Sequence, residues 1–240
     1  MLRELSLELS KLREKTKINT EFKSQIAKNM NDSTKIFLPR FITPLASVAG
    51  AISETLLDKI LAKFDLEKIY INNGGDAAIF LKKEQKLKFL VATTNSFLIN
   101  LEGDNCKYGI ATSGWKGRSF SMGIADSVTT IAESSAIADA AATIIANDTN
   151  IKNHKNIKKQ AANKIDEYSD LKNKLVTTSV GELSENDIQN ALEKGSITAK
   201  NLIGKKIILT ALLNIKENYV YVGKKFDIKQ TKKKINFIKI

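Results

Sequence analysis

The sequence predicts an α/β (α+β) fold: a single domain in which helices pack on a mixed sheet. Three observations lead there. Short runs of alternating apolar residues, separated by tight turns, fill residues 68–132. Segments with helically spaced apolar residues flank them on both sides. No internal repeat and no Pro- or Ser-rich linker divides the 240 residues, and with 42% hydrophobic residues the chain can bury one substantial core.

The elements follow in order. Leu2, Leu5, Leu9 and Leu12 form one stripe of an amphipathic helix over 2–15. Residues 16–40 are polar and give no clear period, so 1–40 reads as an N-terminal helical segment of undefined extent. Thr43-Pro44 opens a helix that runs through Ala46, Ala49, Ala51 and Leu57 to about Phe64. Strands are predicted at 68–72 and 77–81 around the turn Asn73-Gly74-Gly75-Asp76. A hairpin is predicted at 87–93 and 97–101 around Thr94-Asn95-Ser96, with further strands at 107–112 and 127–132. A helix starts near Ser135 and ends near Asn147. Residues 150–174 read as a lysine-rich insertion, a mobile helix with a solvated face. Ser184 caps a helix that Gly195 stops, and late strands are placed at 207–213 and 219–222. The principal domain therefore spans 41–223, and 224–240 is a basic tail, strand or disordered.

Composition narrows the function. No run approaches the ~18 apolar residues of a membrane span. Arg3, Glu4 and Glu8 among the first leucines do not make a secretory leader. One cysteine, Cys106, excludes an intramolecular disulfide and suits a reducing compartment, so a cytoplasmic protein is expected. With His154 the single histidine, a zinc site of the usual type has too few ligands. The net charge of +12 could serve nucleic acid, but the lysines lack interleaved aromatics and reflect a general bias toward Lys, Ile and Asn. The charge by itself therefore names no partner, and self-association into a homo-oligomer is left open.

Three segments depart from ordinary core design. Gly74-Gly75 permits positive φ and exposes backbone amides, and Asp76 places a carboxylate at a strand entry; an ordinary hairpin turn carries the same residues. Thr112-Ser113-Gly114 ends a strand in hydroxyls and amides, and Arg118 adds a fork suited to phosphate; a plain polar loop fits equally well. Asp139 and Thr143, four apart on a helix, share one face amid alanines. They are hard oxygen donors suited to Mg²⁺, or else a helix-terminal acid and a packed threonine.

In this order the three segments resemble the ApbE-like superfamily, whose transferases carry Gly-Gly-Asp, Ala-Thr-Ser-Gly and Ala-Asp-x-x-x-Thr. Here these read Gly74-Gly75-Asp76, Ala111 to Gly114, and Ala138-Asp139 with Thr143. The transferases' Ala-Lys-Gly helix start falls, without gaps, at Ala49-Gly50-Ala51. Ser47 to Ile52, Arg118-Ser119 with Gly123 to Val128, and Leu175 to Gly181 are similar to a branch of uncharacterised ApbE-like proteins. The resemblance implies an ApbE-like domain over 41–223. It implies Mg²⁺ held by Asp139, Thr143 and the carbonyl of Ala49. It implies FAD or a related nucleotide at Gly74, Gly75, Asp76, Thr112, Ser113, Gly114 and Arg118. The chain departs from it in three ways: Gly50 replaces the lysine, no opening strand is found before Leu38, and no His-x-x-Asp-Pro-x-Thr-Gly loop follows Gly114. No catalytic residue is therefore assigned. The expectation is a phosphate-ligand-binding protein, such as an auxiliary factor in sulfur or cofactor metabolism. FAD:protein FMN transfer and a basic nucleic-acid-binding module are the alternatives.

Overall fold

The structure, a computed structural model, describes residues 2–91, 97–224, 226–230 and 236–237. Helices α1 (Leu2–Ser6), α2 (Leu9–Leu12) and α3 (Gln25–Lys35) come first. A 3-10 turn at Pro44–Ser47 leads into α4 (Val48–Leu61). Strands β1 (Lys68–Asn73), β2 (Asp76–Leu81), β3 (Lys86–Val91), β4 (Phe97–Glu102), β5 (Cys106–Ser113) and β6 (Ser127–Ala132) precede α5 (Ser135–Asp148). Then come β7 (Ile157–Ala161), β8 (Leu175–Val180), α6 (Glu185–Gly204), β9 (Thr210–Ile215), β10 (Asn218–Gly223), β11 (Asp227–Gln230) and β12 (Asn236–Phe237). Among the described residues no strand precedes β1. Residues 92–96, which hold the expected 94–96 turn, lie outside the described residues, as does most of the tail beyond 230.

The main sheet has seven strands in the order β1-β2-β5-β6-β9-β10-β12. It is mixed, because β10 and β12 run parallel while its other pairs are antiparallel. Alternation along each strand gives it two apolar faces. On one face, α5 and α6 bury Ala138, Ala141, Ile145 and Leu192 against Ala111, Val128 and Leu213. On the other, the smaller sheet β11-β4-β3 brings Phe97, Ile99 and Leu101 onto Ile79, Ile110 and Tyr219. Phe97 meets Tyr219 edge-on with ring centroids 5.0 Å apart.

Four local expectations are corrected. The predicted helix over 2–15 breaks at residues 7–8, because Glu8 turns inward to accept from the amides of Lys23 (2.7 Å) and Ser24 (2.9 Å) just before α3. The ambiguous 16–40 contains α3. Its buried face carries Met30, Asn31, Ser33 and Thr34, and polar groups there find tertiary partners: Thr34 Oγ1 lies 2.9 Å from Thr16 Oγ1, and Ser33 Oγ bonds Ser47 Oγ at 3.0 Å. Leu5, Leu12, Phe22, Ile26 and Met30 fix this segment to Ala51 and Ala136. The expected lysine-rich helix in 150–174 is instead strand β7 and turns, because Ile157 to Ala161 pairs with β8. Lys159 on β7 is half-buried, its ammonium donating to the Met122 carbonyl (2.6 Å) and Asn150 Oδ1 (3.1 Å). Finally, Gly195 does not stop α6. A Cβ there would lie 2.1 Å from Thr149 Oγ1 and 2.6 Å from Leu213 Cδ2, so its role is close packing inside a longer helix.

Candidate functional site

The β1–β2 connection is the shortest hairpin turn, and it needs two residues at positive φ. Gly74 (68°) and Gly75 (115°) supply them, so Asn73 pairs directly with Asp76. The Gly75 amide donates to Asn72 Oδ1 at 2.9 Å, and the Gly74 carbonyl accepts from Arg118 Nη2 at 2.9 Å. The turn thus offers a ligand one amide fewer than expected, and it fastens the guanidinium of Arg118 beside Asp76.

Strand β5 ends against this turn. Along it Ala111 is buried, Thr112 exposed and Ser113 buried. The Thr112 amide donates to Asp76 Oδ1 at 3.0 Å, and its hydroxyl lies 2.8 Å from Thr129 Oγ1. Ser113 alternates to the other side, opposite Val128, and Gly114 packs so closely that a Cβ would sit 2.4 Å from the Asp126 carbonyl oxygen. Neither lines the cleft described below, whereas Thr112 does.

Helix α5 forms the floor. Its cap Ser134 accepts from Ile137 N at 3.2 Å, and Glu54 of α4 accepts from Ala136 N (2.9 Å) and Ser134 Oγ (2.6 Å). Two glycines let neighbouring backbones reach its first turn. A Cβ on Gly50 would lie 2.2 Å from the Ser135 carbonyl oxygen, and one on Gly109 would lie 2.3 Å from Ser135 Cα. Asp139, Thr143 and Asn147 then succeed one another every fourth residue on one face. Asp139 Oδ2 accepts from the Gly50 amide at 3.0 Å, an amide in the first turn of α4 where helices leave donors unpaired. The Ala49 carbonyl accepts from Ser53 Oγ at 3.0 Å. Asn147 Oδ1 accepts from Met122 N at 2.8 Å and ties the 119–123 loop to α5.

These parts enclose a cleft of about 890 Å³. Eight of the ten expected site residues line it: Ala49, Gly74, Gly75, Asp76, Thr112, Arg118, Asp139 and Thr143. Asp76 and Asp139 approach each other across it. Burial and the neighbouring Asp76 push Asp139 well above the usual carboxylate range, and the Gly50 and Ala49 amides offset this only in part. Burial pushes Asp76 up to about 6 against the Thr112 amide and Arg118, which pull it down. Four carboxylates (Asp76, Asp139, Asp166, Asp170) and two guanidiniums (Arg13, Arg118) line the cleft. A chain of net charge +12 therefore carries a local excess of acid at this place.

The family model described as AbpE bacteria matches residues 1–224. The chain belongs to this family. Its ApbE-like character, read above from the order of four short motifs, is thereby established. Among curated proteins, a UPF0280 protein of Methanocaldococcus jannaschii is 38% identical over 103 residues, which cover 40% of this chain and 41% of the relative. A UPF0280 protein of Methanobrevibacter smithii is 40% identical over 103 residues, 40% of this chain and 42% of the relative. The chain thus spans about two fifths of the length of these relatives. Among solved structures, the apo form of Pseudomonas stutzeri flavinyl transferase ApbE aligns with a TM-score of 0.41 and 14% identity, covering 90% of this chain and 60% of that one.

In this AbpE bacteria member the donors around Asp139 suit a hard cation. Asp139, Asp76 and the Thr143 hydroxyl offer oxygens, whereas Ala49 turns its amide to Asp139 and its carbonyl along α4 to Ser53 Oγ; the two carboxylates resist ionising together unless a positive charge joins them. Among the described residues no set of three or more His, Cys, Asp or Glu gathers to hold a metal, here or elsewhere, and no helix is long and apolar enough to cross a membrane. Sequence reasoning missed Arg13, Glu54, Asn147 and Tyr168. Asn147 continues the four-residue spacing of Asp139 and Thr143 and could have been found that way. The others reach the site only through tertiary contacts.

Proposed function

We propose that this chain binds a flavin- or nucleotide-like phosphate ligand together with Mg²⁺ in the cleft. The facing carboxylates of Asp76 and Asp139, half-buried beside Arg118, carry this reading. Asp139, Thr143 and Asp76 would hold the metal; Arg118 and Thr112 would meet the phosphates. Mg²⁺, when bound, would draw charge from a diphosphate. The side chains named here are assigned to binding and orienting, and the transferases' histidine loop is absent. Binding is therefore favoured over transfer.

Arg118 is held at the cleft by the Gly74 carbonyl and Asp76, and Asp126, the other acid that might have drawn it away, is otherwise engaged. Asp126 accepts from Trp115 Nε1 (2.9 Å) and the Lys216 amide (2.8 Å) and pairs with Lys116 (3.0 Å). A hydrogen bond to a charged group contributes about 1.5–3 kcal/mol, so Arg118→Ala is expected to weaken binding by roughly one to two decades. Replacing Lys232, Lys233 and Lys234 together, which lie outside the described residues, is expected to cost far less at physiological salt. Calorimetry with FAD, FMN and ATP, with and without Mg²⁺ and at two salt concentrations, tests both. Equal losses that vanish together at high salt would replace this site with a diffuse basic surface. No binding by the unaltered protein would end the reading.

Transfer of FMN to a protein is expected to be weak or absent. Residues 114–126 join β5 to β6 and contain neither the histidine nor the proline of the transferases' loop. Incubation with FAD, Mg²⁺ and a threonine-containing acceptor, followed by mass spectrometry, checks this. Rapid covalent flavinylation would restore the transfer reading.

A further inference from the structure

We infer that Tyr168 and Arg13 form a stacking platform for the planar heteroaromatic ring of the ligand whose phosphates lie at Arg118. The inference rests on the proposed phosphate-ligand reading and deepens it. The cleft of about 890 Å³ is far larger than a phosphate group requires, and much of its wall is apolar, with Phe41, Phe120 and Leu171 beside Tyr168. Tyr168 lines the cleft and yet stays 66% exposed. An aromatic ring left open in a cleft is a surface for another ring.

Tyr168 is also held in place. Its amide donates to Asp166 Oδ1 at 2.9 Å, which sets the local turn. The Arg13 guanidinium lies over its ring, 5.7 Å from the centroid. The turn itself is fastened to the N-terminal part of the chain, by Lys172 Nζ to Glu14 Oε1 at 2.8 Å and by the Thr43 hydroxyl donating to Asp170. Two segments remote in sequence thus build one wall of the cleft. A guanidinium plane beside a phenol ring offers π-stacking and cation–π contact to a flavin or purine, and neither contact is available to a bare phosphate.

The test separates ring from phosphate. Dissociation constants for FAD, ADP and inorganic pyrophosphate, each with Mg²⁺, are measured by calorimetry on the unaltered protein and on Tyr168→Ala, Tyr168→Phe and Arg13→Ala. Tyr168→Ala is expected to weaken FAD and ADP by roughly five- to a hundredfold while leaving pyrophosphate within about twofold. Tyr168→Phe, which keeps the ring, is expected to bind all three as the unaltered protein does, and Arg13→Ala to lose part of the ring-dependent affinity. Unaltered protein that binds pyrophosphate as tightly as FAD and ADP would overturn the platform alone. So would Tyr168→Ala weakening all three ligands equally, or none. Unaltered protein that binds none of them would overturn the phosphate-ligand reading and the platform together.

Discussion

Asp139→Asn is expected to raise the thermal stability of the metal-free protein at neutral pH and to remove its stabilisation by Mg²⁺. Both effects have one cause. Asp139 is surrounded by protein and faces Asp76, so its charged form is disfavoured in the fold. Asparagine keeps the acceptor for the Gly50 amide, bonded at 3.0 Å, and removes the charge. Asp76 is raised from 3.8 to about 6, which at 1.36 kcal/mol per pKa unit puts the cost of holding this charge at neutral pH at about 3 kcal/mol. That cost comes from burial of Asp76 and stays in the variant; removing the disfavoured Asp139 charge is a separate gain, and each kcal/mol of it raises Tm by roughly 2–4 °C in a chain of this size.

The sign of the pH dependence follows. A carboxylate whose folded pKa exceeds its unfolded value binds more protons folded than unfolded between the two. Stability of the unaltered metal-free protein should therefore fall as pH rises from about 4 through about 6. Saturating Mg²⁺ should flatten that slope and add roughly 2.7 kcal/mol at a hundredfold excess over its dissociation constant. Asp139→Asn should lose the Mg²⁺ gain and keep the part of the slope that burial of Asp76 produces. Calorimetric melts across this pH range, with and without Mg²⁺, measure all of it. A metal-free Asp139→Asn protein that melts lower than the unaltered one would reduce Asp139 to a cap on the first turn of α4.

Gly50→Ala is expected to be strongly destabilising although it replaces glycine within a helix, where alanine ordinarily helps. The added Cβ would stand 2.2 Å from the Ser135 carbonyl oxygen and 2.6 Å from its carbon, backbone atoms that cannot swing aside. Overpacking of this kind costs about 1–3 kcal/mol or more, a fall in Tm of roughly 2–12 °C. The shift of α4 would also draw the Gly50 amide away from Asp139, so Mg²⁺ should stabilise the variant less. Lysine, the residue of the transferases at this place, cannot fit here for the same reason. Gly204→Ala, at the end of α6 with nothing within 4 Å of the new Cβ, is the control and should be neutral or slightly stabilising. Equal melting of the two variants would refute the close-approach argument.

Much of the fold was legible because it is locally encoded. Alternation gave β1 to β6 their places, the Gly74-Gly75 pair marked a turn that only positive φ can make, and four-residue spacing put Asp139 and Thr143 on one face of α5. Helix α3 was hidden because polar groups on its buried face are satisfied by Thr16 and Ser47, residues outside the helix. Strand β7 was hidden because its lysines obscure the alternation, and its state is set by pairing with β8. Gly195 read as a stop because glycine usually is one, and its actual constraint comes from Thr149 and Leu213.

The division at the site has the same origin. Sequence alone determined the turn, the carboxylate-and-hydroxyl helix face and the strand end, each a matter of a few neighbouring residues. Tertiary structure decided that Thr112 rather than Ser113 faces the cleft, that burial raises both carboxyls and Asp76 further raises Asp139, and that Arg13 and Tyr168 share a wall. Those outcomes depend on strand register and on backbone approach at Gly50 and Gly109. They arise from burial and through-space charge, which act between residues that no local pattern connects.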